Sequence, residues 1–378
     1  MSGGRVTWSS VRESNAALVL DVIRGDPPLS RAEVARRTKL SKPTVGSVLT
    51  DLLAAGLVRE VSAPNETHYR AVYFEPASDA AFVLGLDIGR RYVRGLLADL
   101  DGAPLDRHDV RLGDCAPHTV MSAVRRIRAE IADDLPIELV VAGAPGVVGA
   151  DGLLRASNAH ELEGFAIAAE LAATLGAAVQ VENDVNLATL GEQEAGHGRG
   201  VADFAYLSVG TGVGAGLILG GRPFRGHRGA AGEVDAPPPG RDLAPGSPSA
   251  DALLGWAADW IAAEGSDLAV APEAIYAAAA RDELAGRIVA EQARRIAARI
   301  AEISRVVDVE LVVLGGGIGL ASRGSLAAIA AAVGELAHHP PRLEISALGD
   351  AAVLVGAIIS GGQRAWQQIA ARNIARGV

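Results

Sequence analysis

The sequence predicts an α/β chain in two parts: a small N-terminal module of three helices closed by a β-hairpin, then a large body of two similar lobes. Three observations predict it. Residues 1–75 show amphipathic helical periodicity and a local excess of basic charge. From Ala81 the texture changes to short apolar strands, glycines and turns. Within that second part, one order of strands occurs twice.

Composition sets the limits. With 378 residues, 49% of them hydrophobic and 4% aromatic, the chain can bury more than one core and divides into two or three units. No stretch reaches the roughly 18 to 20 uninterrupted apolar residues of a membrane span, and the opening residues lack the apolar run of a signal peptide. The expectation is a cytoplasmic protein with no membrane partner. The single cysteine, Cys115, excludes an internal disulfide framework and any multi-cysteine zinc site, and reads as a buried, idle thiol. The formal charge of −10 conceals an asymmetry: residues 1–75 hold ten Lys and Arg against eight Asp and Glu, and the remainder 25 against 37. Within residues 29–48, Arg31, Arg36, Arg37, Lys39 and Lys42 face one acid, Glu33. A basic module on an acidic body suits a DNA-binding head on a sensor, because attraction to phosphate needs only a local patch. A solvated helix face explains the charge alone equally well.

In the first part, residues 12–24 place Ala16, Leu18, Val19, Val22 and Ile23 on one stripe, a packed helix closed by Gly25 and the pair Pro27-Pro28. Ser30 and Glu33 form a capping box that opens a short second helix with Val34 and Ala35 on its apolar side. Ser41 caps a third helix, with Pro43 in its first turn, Val45, Val48, Leu49, Leu52 and Leu53 on its inner face, and its end at Gly56. Residues 57–61 and 69–74 are two short strands around the polar turn 63–67, which makes a wing. Two helices joined by a tight turn, the second preceded by basic residues, form a helix-turn-helix whose second helix fits the major groove of double-stranded DNA. Arg31, Arg36, Arg37, Ser41, Lys42, Pro43, Thr44 and Ser47, with Arg70 in the wing, are the candidate DNA contacts. A three-helix interaction module has the same pattern.

In the second part, residues 82–88 make a buried strand, 92–100 another, Asp101-Gly102 a hairpin turn and 105–112 a third strand, before a helix at 120–132 and a strand at 138–142. The order begins again at 204–209, 214–219, the Gly220-Gly221 turn and 222–225. Residues 351–371 form a C-terminal helix that packs back. Such duplication implies two lobes with a cleft between them.

Six motifs in register carry a resemblance: Leu86-Asp87-Ile88-Gly89 with residues 98–102; Gly143-Ala144-Pro145-Gly146; Glu182-Asn183-Asp184-Val185-Asn186; the glycine-rich run 207–216; Ala231-Gly232-Glu233; and residues 313–318. In order and spacing the chain resembles the ROK family of repressors, open reading frames and kinases over nearly its whole length, and residues 30–45 resemble the winged head of that family's repressor branch. The resemblance implies an α/β fold in two domains: a winged helix-turn-helix in residues 1–75, and in residues 76–378 a two-lobed actin-like domain of sugar-kinase type with a hinge near residues 183–200.

It also implies which residues face a ligand. Asp184 matches the family's catalytic base, Asn183 and Glu233 match sugar contacts, and Gly210, Thr211 and Gly212 match a phosphate loop, here either a candidate anion site or a tight hairpin. Asn183 and Asp184 also read as the cap of a helix over residues 185–194. The family's first phosphate turn runs Asp, any residue, Gly, Gly, Thr. This chain has Arg90 and Arg91 after Gly89, which narrows the approach and removes access to positive φ, although arginine can neutralise phosphate. After Glu233 the family places a histidine and then a cysteine cluster around a structural zinc. This chain has Ala236 and no thiol there, so no zinc and no other cofactor is expected. His227 reads as a surface residue. Together these features imply a transcriptional regulator, a repressor and not an enzyme, that binds a double-stranded DNA operator as a homodimer or homotetramer and answers to a small, sugar-like effector. The alternatives are an active ATP-dependent sugar kinase with an added DNA-binding head, and a ligand-blind architectural protein on DNA.

Overall fold

The computed structural model describes residues 8–62, 72–149, 151–155, 159–236 and 244–375. The head opens with α1 (Trp8–Gly25), which starts earlier than the stripe that predicts it and buries Ala16, Val19, Leu20 and Ile23. Leu18, placed on that stripe from sequence, is instead exposed, because it lies off the arc shared by positions 16, 20 and 23. β1 (Leu29–Ser30), α2 (Arg31–Thr38), α3 (Lys42–Ala54), β2 (Val58–Val61) and β3 (Tyr73–Pro76) complete the head.

Ser30 Oγ accepts the Glu33 N–H at 3.3 Å and Ser41 Oγ accepts the Thr44 N–H at 3.2 Å, so both helices are capped as the sequence predicts. The reciprocal half of the capping box is not made. Glu33 turns forward to Arg36 and Arg37, because a guanidinium one turn on is a stronger, charge-assisted donor than a backbone amide. Between the helices Lys39 takes φ 58, a left-handed cap more often given to glycine. The small sheet runs β1-β3-β2, all antiparallel. The wing turn 63–67 and residues 69–71, Arg70 among them, lie outside the described residues.

The first lobe is built from β4 (Phe82–Ile88), β5 (Tyr92–Asp99), β6 (Pro104–Arg111), α4 (Pro117–Ala132), β7 (Ile137–Ala144), the short pair β8 (Val147–Val148) and β9 (Leu154–Arg155), α5 (Ile167–Leu175) and β10 (Ala178–Asn183). α6 (Asp184–Ala195) leads to the second lobe. That lobe holds β11 (Phe204–Val209), β12 (Val213–Leu219), β13 (Arg222–Phe224), α7 (Ala250–Ala263), α8 (Pro272–Ala278), α9 (Glu283–Val307), β14 (Leu311–Gly315), α10 (Gly316–Ala321), α11 (Leu326–Leu336) and β15 (Arg342–Ile345). α12 (Ala352–Ala375) then returns to the first lobe.

The duplication read from sequence extends to the sheets. One runs β10-β7-β4-β5-β6 and the other β15-β14-β11-β12-β13. In each, the first strand lies at the centre, pairs antiparallel with its successor on one side and parallel with a later strand on the other. Alternation along a strand assigns the faces. Leu84, Leu86 and Ile88 of β4 join the core under α4 and α5, while Val83 joins the core under α12. Ala205, Leu207 and Val209 of β11 face α7, α9 and α11; Phe204 and Tyr206 face α6. Helices on both faces explain why these strands read as nearly continuous apolar runs.

Two seams hold the lobes and the head in place. α6 packs on α12 with glycine on both sides: a Cβ on Gly356 would lie 1.8 Å from the Leu187 carbonyl oxygen, and one on Gly191 would lie 2.6 Å from that of Ala352. α6 also lies on β11 and β12, so it is clamped between the lobes. At its far end α12 meets the head. Trp366, 1% exposed, donates its Nε1–H to Asp101 Oδ1 at 3.0 Å; Arg24 of α1 donates to the same oxygen at 3.0 Å and stacks 5.0 Å over the Trp366 ring. Ala16, Val19 and Leu20 share one core with Ala365, Trp366 and Ile369.

One stretch, Gly316–Leu336, has the length and composition of a membrane span, although polar residues interrupt its apolar run. It is not one helix. The turn Ser322–Ser325, carrying Arg323, separates α10 from α11, and Ile318, Ile329 and Val333 are buried in the core of the second lobe.

Candidate functional site

The lobes face each other across two adjoining cavities, of about 380 and 690 Å³, which share Arg90, Asp184, Val185, Ser208, Gly210 and Thr211. Asp184 stands between them because β10 runs parallel to β7 and turns into α6 at the carboxyl edge of the sheet, where ligand sites of open α/β sheets fall. Its Oδ1 accepts the Val185 N–H at 2.8 Å. Burial first, then the charges of Asp87 and Glu233, push its carboxyl up to about 7. Asp87, at the end of β4, is itself buried, and burial raises its carboxyl although Arg94 donates to it at 2.8 Å. Glu233 lines the larger cavity with its side chain open to water. Loss of solvation against the cavity wall pushes its carboxyl up as well.

Asn183 caps α6. Its Oδ1 accepts the Asn186 N–H at 3.0 Å and its Nδ2 donates to the Gly146 carbonyl at 3.1 Å, so both ends of the amide hold structure and only spare lone-pair and N–H capacity faces a ligand. The preceding Glu182 accepts from Arg225, just after β13, at 2.8 Å, an ion pair that crosses between the lobes. In the glycine loop, the Gly210 N–H donates to Gly212 O at 2.8 Å and the Gly210 carbonyl accepts the Ala250 N–H at 2.7 Å. The loop makes a tight hairpin in which the Gly210 amide is engaged within the turn. Arg90 reaches across the cleft to Asp251 in the first turn of α7 at 2.6 Å, and both residues line the larger cavity. Arg91 is exposed and lines the smaller one.

His160, Glu163 and Asp251, which sequence reasoning misses, also line the larger cavity. They come from a short turn and a helix start whose placement depends on how the lobes close. No spacing in the chain marks them.

The candidate DNA contacts divide into two sets. Ser41, Lys42, Pro43 and Ser47 are exposed, and Thr44 half-buried, on the first turns of α3. The Ser41 and Thr44 hydroxyls hydrogen-bond each other at 2.7 Å, so they hold the helix start as well as facing outward. Arg31 is exposed and reaches toward Gly46 of α3. Arg36 and Arg37 do not join this set as free charge. Arg36 is paired with Glu33, and Arg37 with Glu33 at 3.1 Å and Asp26 at 2.7 Å. Asp26 precedes the basic stretch of residues 29–48, so the patch is weaker than the charges within that stretch suggest.

The residues after Glu233 do not fit a zinc ion. The family's histidine position is Ala236. Cys115 is buried in the first lobe beside the Gly89 carbonyl, its thiol pushed up to about 11 by burial. Asp235 has both oxygens engaged, by Ser247 at 2.5 Å and Arg299 at 3.0 Å. Among the described residues no group of three or more His, Cys, Asp or Glu is placed to hold a metal. His227 is exposed.

The ROK family profile matches residues 83–236 and 249–360, and a MarR family profile matches residues 13–67. A putative xylose repressor of Caldicellulosiruptor sp. (strain Rt8B.4) is 26% identical over 233 residues, 59% of this chain and 58% of the repressor. The bifunctional enzyme NanE/NanK of Brucella suis biovar 1 is 36% identical over 162 residues, 42% of this chain and 30% of the enzyme. The match thus spans less than two thirds of either relative. A solved ROK family transcriptional regulator, described as a homolog of the E. coli MLC protein, aligns with a TM-score of 0.74 at 22% identity, over 97% of this chain and 100% of that one. That likeness establishes the fold: a winged head followed by a two-lobed body.

Proposed function

The chain belongs to the ROK family, and from that premise we propose that it is a DNA-binding transcriptional regulator, a repressor, released from its operator by a sugar-like effector bound in the larger cavity without being phosphorylated. One contrast carries the reading. Asp184 and Glu233 stay open to a cavity of about 690 Å³, while Arg90, which takes the place of a glycine in the first nucleotide turn, is bridged to Asp251 across the same cleft. Hydroxyl groups suit carboxylates that accept hydrogen bonds, and a phosphate chain does not suit a loop closed by an ion pair. The same chain presents the start of α3 to solvent, where base edges and phosphates can be reached.

Head and body are divided near residue 76, with residues 1–75 for DNA and 76–378 for effector binding and assembly. The position of α6 between the lobes supports a hinge at residues 183–200. An operator of two half-sites calls for two heads, hence a homodimer or homotetramer in the cytoplasm. The relatives named as xylose repressors make D-xylose the first effector to try. A second reading, an ATP-dependent sugar kinase with a DNA-binding head, is favoured by the Asp184 carboxyl, since a value of about 7 suits a general base at neutral pH. Two measurements separate them: selection of bound fragments from a genomic library followed by gel shift with and without D-xylose, and ATP consumption over a panel of sugars. Sugar-dependent ATP consumption that disappears in Asp184→Asn would establish the kinase instead.

A further inference from the structure

The loop that carries Glu233 is fixed at two points. In front, the Gly232 carbonyl accepts the Ala215 N–H of β12 at 2.8 Å; Gly232 has φ +94, and a Cβ there would lie 1.7 Å from the Ala215 oxygen, so the turn admits glycine alone. Behind, the chain is held by α9. Asp235, with a side chain 6% exposed, accepts from Arg299 Nε at 3.0 Å and from the Ser247 hydroxyl at 2.5 Å. Arg299 donates a further hydrogen bond to the Pro245 carbonyl at 3.0 Å, and the buried Gln292, two turns earlier on α9, donates to the Pro248 carbonyl at 2.5 Å. Ser247 Oγ accepts the Ser249 N–H at 3.1 Å, and Ser249 caps α7, whose Asp251 bridges to Arg90. One guanidinium thus ties both ends of this loop to the longest helix of the lobe. The tie stands in the segment where the family's zinc cluster would begin and where this chain has neither cysteine nor histidine.

We propose that Arg299 is the positioning residue of the effector loop, holding Asp235 and the 244–249 segment with an ion pair and hydrogen bonds where the family uses a metal, and thereby fixing the Glu233 carboxylate two residues upstream. A fork of fixed donors suits this role, because it reaches a carboxylate and a carbonyl at once, which a lysine ammonium does less well. The proposal rests on the reading of Glu233 as an effector contact.

The test uses the full chain and four variants, Arg299→Met, Arg299→Lys, Asp235→Asn and Glu233→Gln. It reads hydrogen exchange together with affinity for D-xylose, or for the first aldose of a panel that raises the wild-type melting temperature. Arg299→Met keeps the aliphatic stem and removes the donors. The amides of Ser249, Ala250 and Ala252 should then exchange about tenfold faster while those of β11 do not change, and sugar affinity should fall about tenfold. Arg299→Lys should recover part of both losses, and Asp235→Asn should match Arg299→Met. Glu233→Gln should weaken sugar binding with wild-type exchange. Wild-type exchange in Arg299→Met, or faster exchange with undiminished sugar affinity, overturns the proposal. So does about one zinc per chain by elemental analysis after purification without chelators. If Glu233→Gln binds the sugar as the wild type does, the contact assigned to Glu233 is wrong, and the exchange of Arg299→Met still decides whether the guanidinium holds the loop.

Discussion

Replacing Trp366 with phenylalanine should loosen the head from the body without unfolding either. The change keeps an aromatic ring in the shared core and removes the Nε1–H that Asp101 accepts at 3.0 Å. A hydrogen bond to a charged acceptor contributes roughly 1.5–3 kcal/mol; the Asp101 side chain is 36% exposed and regains part of this from water, leaving a net loss of about 1 kcal/mol. Arg24 stacks 5.0 Å from the indole centroid and attracts a phenyl ring less, by about 0.5 kcal/mol. The smaller ring, at a position 1% exposed, adds about 1 kcal/mol of lost burial. Trp366 and Asp101 both belong to the body, so the terms that bear on docking are the Arg24 contact and the shared burial, about 1.5 kcal/mol, which corresponds to a population of undocked heads larger by roughly tenfold. Hydrogen exchange should show this as faster exchange along α1 and the second half of α12, with β11 and β12 as unaffected controls. A double-mutant cycle with Arg24→Met, across the seam, should return a coupling of about 0.5 kcal/mol. Additive effects in that cycle, or unchanged exchange along the seam, would refute the assignment of these contacts as the tie between head and body.

Three further outcomes are expected at the two sites. Alanine at Ser41, Lys42 and Thr44 together should abolish specific DNA binding in a gel-shift titration while the body melts as before. Because removing the Ser41 cap also costs α3 about 1 kcal/mol, Lys42→Ala alone is the sharper probe and should lower the salt slope of binding by about one; operator affinity unchanged in the triple variant removes α3 from the groove. For Asp184, the folded carboxyl titrates at about 7 against an ordinary 3.8, so its stabilising contribution is complete below the unfolded value and is lost as pH rises through 7. From pH 4 to 8 the wild type should lose stability relative to Asp184→Asn, by at most about 4 kcal/mol and by less in so far as the cavities admit water; parallel stability curves for the two proteins would remove burial as the cause. Arg90→Gly should open the cleft to phosphate, so that a non-hydrolysable ATP analogue binds the variant and not the wild type in calorimetry. Equal binding by both means the bridge to Asp251 does not close the loop.

The signals that were legible in the sequence are local ones. β4 and β11 lie where nearly continuous apolar runs lie, and Ser30 and Ser41 cap the helices they precede, because a strand buried on both faces and a helix start are each specified within a few residues. Asp184 and Glu233 are legible as motif residues for the same reason. What the sequence does not disclose is who pairs with whom. Arg90 and Asp251 are 161 residues apart, so the arginine in the first loop reads equally as a phosphate receptor until the fold brings the carboxylate to it. Arg37 counts as free positive charge until α2 turns it onto Asp26. Asn183 reads both as a sugar contact and as a cap, and the carbonyl of Gly146, 37 residues away, engages the other end of its amide. Arg299 carries no motif at all; a charged position on an amphipathic helix looks like solvent-facing surface, and the partner that makes it structural lies 64 residues earlier.

Those long-range pairings also bear on how a ligand in the cleft would reach the DNA. Asp184 begins α6, α6 lies on α12 with no side chain between Gly356 and the Leu187 carbonyl, and α12 ends at the seam with α1. Backbones in direct contact have no flexible side chain to absorb a shift, so a lobe movement that displaces α6 carries α12 with it. Under the proposed function a hundredfold loss of operator affinity needs about 2.7 kcal/mol of coupling. The contact of Trp366 with Arg24 and the ring burial it shares with α1 come to about 1.5 kcal/mol as worked out for the phenylalanine variant. The two quantities are of the same order, so release does not require the head to unfold. An effector has only to favour, by differential affinity, a closure of the lobes in which that seam is broken, and the cleft, α6 and α12 supply a continuous packed path for it.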